Sequence, residues 1–430
     1  MVIRVPALRA ASAVSLFSLA FAAPCSAQFT AGDVYVASWA NKVFKVDPAT
    51  WTVTTFADAT DGLAGPSALV WNEATDRLLV SSFSNSKLFS FDSAGTGTTL
   101  YTSTNGLSGP FGQNGLLTTV DGDLYLSNFT KQEILFFPVA GGPATVFADK
   151  NDGLKHADGL GFDRCKNLWV ADRDGYDLWK VTPAGVATKF DTLKNQVMSI
   201  ALRPNGDLYV ACLYGDLFRY VGGDVTKKTL LLGFGQTLAT PVIRFDLDYT
   251  KLYYTSSGLG NLLEVDPDTG VTTQRLANGS LGSPLGLEVT GVRRDIGFKP
   301  FGSGLAGTGG IMPSLHASGH PVIDHDVTLE LRNFIGGGLA TVITGDQEGS
   351  GPFHGGIGYV DLSHSPIFST ITLPGVAGVP GDGDLDITTT IANDPALDCI
   401  DFYVQVICVD LYQPAGFSPS NGLRVTTRSY

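Results

Sequence analysis

The chain has 430 residues, 43% of them hydrophobic and only 16% charged, a balance that excludes intrinsic disorder and leaves room for two or three domains. Its formal net charge is −13, which argues against nucleic acid or an anionic membrane surface as partner and favours cations.

The chain opens with the marks of an export signal. Arg4 and Arg9 supply a positive region, Ala10 to Ala23 a short apolar stretch, and Cys25-Ser26-Ala27 a small-residue cleavage site. Residues 1–27 therefore read as a signal peptide, and the apolar run is too short to span a bilayer. Losing its two arginines takes the charge from −13 to −15. The expected location is secreted, extracellular or periplasmic. Cys165, Cys212, Cys399 and Cys408 remain after cleavage, enough for two disulfides or for none if they are buried small hydrophobes.

One phrase then returns six times, as GDVYVAS, DRLLVSS, GDLYLSN, KNLWVAD, GDLYVAC and TKLYYTS. Its reference residues Tyr35, Leu79, Tyr125, Trp169, Tyr209 and Tyr253 are 44, 46, 44, 40 and 44 positions apart. Each is followed by a second strand (NKVFKVD, SKLFSFD), a Thr-rich segment (WTVTTFA) and a stretch such as ADGLGFD or PLGLEVT that ends at a turn. Four short alternating strands per repeat, with Gly, Asn and Asp at the turns, describe a propeller blade. The array enters at the second strand of a blade and ends with a lone first strand, Pro284 to Thr290. Joining the two ends closes a six-bladed β-propeller over residues 28–293 and removes its open edges.

Beyond Gly291 the period stops. Residues 294–430 begin Gly-rich (GFKPFGSGLAGTGG) and then alternate in DVTLELRNF, LATVITGD, LDITTTI and FYVQVICVDLY. They predict a second, sandwich-like β domain that folds on its own. Five of the six histidines lie there. His316, His320 and His325 have metal-like spacing, but Gly319 and Pro321 forbid the helix that would bring them onto one face. Asp382, Asp384 and Asp386 lack the Gly and Glu of a calcium loop and read as an acidic hairpin flank.

The phrases GDLYVA and ADGLGFD resemble the NHL-repeat and gluconolactonase (senescence marker protein) group of six-bladed propellers, an architecture shared by the streptogramin lyases. The tail, with GSGLAGTGGIMPSLHASGHPV and SNGLRVTT, is similar to a C-terminal domain of exported planctomycete proteins. The gluconolactonase resemblance implies a divalent metal, calcium for example, held where the first strands begin at the channel mouth. Aligned, those positions are Leu285, Ser67, Asn114, Asp158, Met198 and Pro241. Gln113-Asn114-Gly115-Leu116 and Ala157-Asp158-Gly159-Leu160 match the group's ligand phrases, so Asn114 and Asp158 are the candidate metal ligands. The group's Glu has no counterpart here. The other reading of these two residues is polar capping of strand starts.

His156, alone among the propeller's histidines, stands two residues before Asp158 and with it is the candidate catalytic pair. A lone His beside a strand start is more often satisfied locally. Asn128 and Asp172, after the second strands, are expected to accept backbone N–H groups. The lyases rely on a late-blade His and Glu; here those blades hold no His, and Glu264 and Glu288 lie within strands. The functional expectation is a secreted propeller serving as a ligand-binding or scaffold module, its partner a small molecule, a carbohydrate or an extracellular protein. The alternative is a metal-dependent lactonase-type hydrolase, and a lyase working through His156 is a third reading.

Overall fold

The computed structural model describes residues 28–109, 115–163, 165–233, 240–291, 297–397 and 399–427. The expected signal segment and Asn114 lie outside them.

Six four-stranded antiparallel sheets follow one another along the chain, each built from four consecutive segments except the first. Blade 1 takes its outer three strands from Val34–Ser38, Lys42–Asp47 and Thr52–Ala57, and its innermost from Pro284–Val289. Val36 faces Leu287 in that antiparallel join. The first and last strands of the array therefore share a sheet, as the phase of the repeats predicts. Blades 2 to 6 have inner strands Pro66–Asn72, Leu116–Thr118, Ala157–Phe162, Val197–Leu202 and Pro241–Phe245. Together the sheets make a six-bladed propeller, and no helix among the described residues is long and apolar enough to cross a membrane.

The residue pattern explains the packing. Second strands such as VYVAS are buried throughout because both their faces meet another blade. Tyr35 and Ala37 pack with Leu69 and Val80 of blade 2, while Val34 and Val36 pack with Leu262 and Leu276 of blade 6. The same alternation builds a cluster in each remaining gap between blades. Outermost strands bury one face at most, so Thr-rich TVTTFA and GTTLY stay largely exposed. Where the inner strands converge, Gly159 comes so close to blade 5 that a Cβ would lie 2.9 Å from Ser199 Cα. A Cβ on Gly286 would likewise meet Ser67 O at 2.8 Å. No larger residue fits these two positions without displacing backbone.

Beyond the ring, Phe298–Phe301, Gly422–Thr426, Asp401–Val409, Leu339–Gly345 and Ile367–Thr372 form one sheet in that order. Ser314–Gly319, Asp326–Arg332 and Leu385–Thr390 form a second. Leu315, Val327 and Leu331 of the smaller sheet share a core with Val342, Val404, Val406 and Leu423 of the larger. Two sheets facing each other across one apolar layer are a β-sandwich.

The sandwich meets the propeller at the turns that follow the inner strands of three successive blades. His320 Nε2 lies 2.7 Å from Glu73 Oε1 of blade 2, and His325 Nε2 lies 2.9 Å from Asp121 Oδ1 of blade 3. Cys165 of blade 4 is disulfide-bonded to Cys399 of the tail, with 5.4 Å between their Cα atoms. Two of the three metal-spaced histidines are thus used as ties between the sandwich and the ring. Only one of the two possible disulfides forms. Cys212 and Cys408 are free and buried, and desolvation pushes both thiols up to about 12.

Candidate functional site at the upper channel mouth

The inner strands run from one mouth of the central channel to the other. Their starts define an upper mouth, and their ends a lower mouth, which the sandwich faces. One device recurs at the upper mouth. In blades 1 to 4 the residue ending the second strand ties down the loop that leads into the inner strand of its sheet. Ser82 Oγ accepts from Ala64 N at 2.8 Å, and Ser38 Oγ accepts from Ser283 N at 3.1 Å. Asn128 Oδ1 accepts from Ser108 N at 2.7 Å. In blade 4 the carboxylate of Asp172 accepts from Lys155 N at 2.9 Å, His156 N at 2.8 Å and Gly175 N at 3.2 Å. Asn128 and Asp172 therefore serve the loops, as their type and position predict.

The next residue in each blade turns over the rim. In chain order these are Trp39, Phe83, Phe129, Arg173, Leu213 and Ser257. Trp39 is 42% exposed and its ring centre lies 5.7 Å from that of Phe83. The Arg173 guanidinium stands 4.3 Å over the Phe129 ring, a cation–π contact. His156 stacks on the same ring with centres 4.3 Å apart, and its Nδ1 lies 2.7 Å from Asp174 Oδ2. Asp174 also accepts from Gln196 Nε2 at 3.3 Å. Aromatic, basic, imidazole and carboxylate groups are thus assembled along blades 1 to 4, with the Gln196 amide of blade 5 at their end. The repeat carries this arc one position past its reference phrase, in SWA, SFS, NFT and DRD, and reading one residue further along the alignment finds it.

Asp158 lies where the sequence places it, near the start of the inner strand of blade 4, and it is fully buried. Arg173 Nη1 stands 3.8 Å from its Oδ2, and its own carbonyl accepts from Ser127 Oγ at 3.1 Å. Ser67, in the equivalent place on blade 2, is buried with its Oγ 3.0 Å from Ser81 Oγ. His156 is thus drawn to Phe129 and Asp174, while Asp158 faces a guanidinium. The described donors fit a divalent ion poorly, because calcium wants six to eight oxygens, Asp172 and Asp174 are already engaged, and Arg173 stands beside the Asp158 carboxylate. Among the described residues no group of three or more His, Cys, Asp or Glu side chains is gathered that could hold a metal. The two late-blade glutamates are engaged elsewhere: Glu264 with Arg275 at 3.0 Å, and Glu288 with Arg244.

No protein-family model matches the chain, and no curated protein does. Solved structures do. A chain from a crystal structure of a nidogen/laminin complex aligns at 14% identity and a TM-score of 0.51, covering 60% of this chain and 97% of that one. The virginiamycin B lyase of Staphylococcus aureus aligns at 15% identity and a TM-score of 0.46, covering 61% of this chain and 86% of the enzyme. At 14% identity the first of these likenesses supports the propeller fold and nothing finer.

Proposed function

We propose that this chain is a secreted ligand-binding or scaffold propeller whose recognition surface is the upper mouth, with the sandwich as an accessory module on the other face. The observation that carries this reading is the arc of Trp39, Phe83 and Phe129 at equivalent positions of three successive blades, continued by Arg173. Aromatic faces beside a few fixed polar groups are the usual make-up of a recognition surface. The exposed Trp39 indole and the half-buried Phe83 ring beside it suit the C–H faces of a carbohydrate or an apolar side chain of an extracellular protein, while Phe129 holds Arg173 and His156 in place. Arg173, His156 and Asp174 supply the polar groups that would orient either.

The test is a binding panel of soluble polysaccharides and extracellular proteins, run on the wild type, Trp39→Ala and Phe129→Ala. A ligand retained by the wild type and lost by both variants supports the reading. A ligand held equally by all three moves the site away from this mouth. The wild type and Asp158→Ala, assayed with a sugar lactone and calcium, test the hydrolase alternative. Lactone hydrolysis that disappears in Asp158→Ala would make the chain an enzyme, whereas indifference to lactones and to calcium leaves the binding reading alone.

A further inference from the structure

At the lower mouth the ring and the sandwich frame a half-open cavity of about 690 Å³, within the size range of small-molecule sites. Its floor is apolar, formed by the ends of the inner strands at Leu160, Ile200 and Leu202, and Phe298 of the sandwich adds to it. Its charged lining is unlike the rest of this acidic chain. Lys180, Arg203, Arg244, Lys299 and Arg424 line it, against Asp163 and Asp248.

Some of these cations are neutralised. Lys180 lies 3.2 Å from Asp163, and Arg203 pairs with Asp268 at 2.9 Å. Two are only partly satisfied. Arg244, 9% exposed, engages Glu288 from one side, yet its Nε is buried without an acceptor among the described residues. Arg424, on the sandwich wall, hydrogen-bonds the Tyr403 side chain, and its buried Nε likewise has no acceptor among the described residues. Both side chains also line the cavity, so an anion there would gain charge-assisted hydrogen bonds from two guanidiniums that the protein satisfies only in part. Cys165 itself lines the cavity, so the disulfide to Cys399 anchors the two walls to each other at its rim.

We propose that this cavity binds an organic anion with an apolar body, such as a medium-chain carboxylate, its head on the Arg244 and Arg424 side and its body on the apolar floor. The site is separate from the upper mouth and does not depend on the function proposed for it.

The probe is 8-anilinonaphthalene-1-sulfonate titrated into the folded, oxidised full chain, with decanoate as competitor. Saturable binding at one site per chain is expected, displaced by decanoate and not by decanol. Arg424→Leu should weaken it at least tenfold and Arg424→Lys much less, while Asp158→Asn, at the other mouth, should leave it unchanged. Arg244→Leu is the less useful variant because it strands Glu288 in a buried site. The Arg244→Leu/Glu288→Leu pair, which removes both charges, should weaken binding as Arg424→Leu does. Absence of saturable binding, equal displacement by decanol, or equal affinity in Arg424→Leu would overturn the proposal.

Discussion

Gly159 stands in the Ala157-Asp158-Gly159-Leu160 phrase that reads as a ligand motif, yet the structure gives the glycine a mechanical task, and replacing it by alanine tests that task. The new Cβ would lie 2.9 Å from Ser199 Cα, 3.0 Å from Ile200 N and 3.1 Å from Met198 O. These are main-chain atoms of the next blade, held by that blade's own ladder, so they yield only if the two inner strands part. Contacts between carbons are comfortable at ~3.5–4.0 Å, so a gap of at least ~0.6 Å must open. Overpacking against main chain takes the upper part of the usual range, ~2–3 kcal/mol, and the lower chain entropy of alanine returns ~0.5–1 kcal/mol, leaving a net loss of ~1–2.5 kcal/mol. For a unit of this size, at ~2–4 °C per kcal/mol, the melting point should fall by ~2–10 °C. Gly161→Ala is the matched control, because its Cβ meets the Leu202 Cδ1 methyl at 2.7 Å and that side chain can rotate away. Its melting point should stay within about 2 °C of wild type, on the same scale. Thermal melts followed by far-ultraviolet circular dichroism decide the matter. A Gly159→Ala chain that melts with or above the wild type, or below which Gly161→Ala melts, refutes the close-approach argument.

Three further outcomes are expected. The Cys165–Cys399 bridge spans 234 residues, and a loop of that size stabilises by at most about 5 kcal/mol when both ends unfold together. The Cys165→Ser/Cys399→Ser chain should therefore unfold at a lower guanidinium concentration, and an unchanged midpoint would show that ring and sandwich come apart independently. Burial pushes the Cys212 and Cys408 thiols up to about 12, so only ~10⁻⁴ of either is thiolate at pH 8. The native chain from Gln28 onward should give no prompt reaction with a disulfide reagent, and the denatured chain should give two thiols. Fast native labelling at pH 8 contradicts their burial. Truncation to residues 28–293 with Cys165→Ser should yield a soluble strand-rich protein, and a molten or insoluble product would mean that the propeller needs the sandwich.

Local pattern carried the architecture. The repeat phrases fix the strands, and the half-blade at each end fixes how the ring closes, because an unpaired first strand and a missing one have a single economical solution. Asp158 and His156 lie near the upper mouth, where the register puts them. Their partners were not legible. Arg173 reaches Asp158 through the geometry of the rim, and Asp174 captures His156 from a neighbouring turn, neither of which follows from spacing. The pairing of Cys165 with Cys399 depends on which face of the ring the sandwich meets, and nothing local to either cysteine encodes that. His320 and His325, whose spacing suggests a metal, instead spend their imidazoles on Glu73 and Asp121, partners 247 and 204 residues away in the chain that local spacing cannot reveal.

Five blades are each drawn from one continuous run of chain, and blade 1 is not. Its three outer strands end at Ala57, whereas the strand that completes it begins at Pro284. During synthesis at ~5–20 residues per second, the early hairpin therefore waits ~10–45 s for its partner. Through that interval Val34–Ser38 presents an open edge, and the ring is a chain of blades with two loose ends. No nascent chain that stops short of residue 289 can become a propeller. A stall, a nick or an early stop anywhere before that point leaves an unclosed array with a bare strand at its start, open to pairing with a neighbour of its own kind.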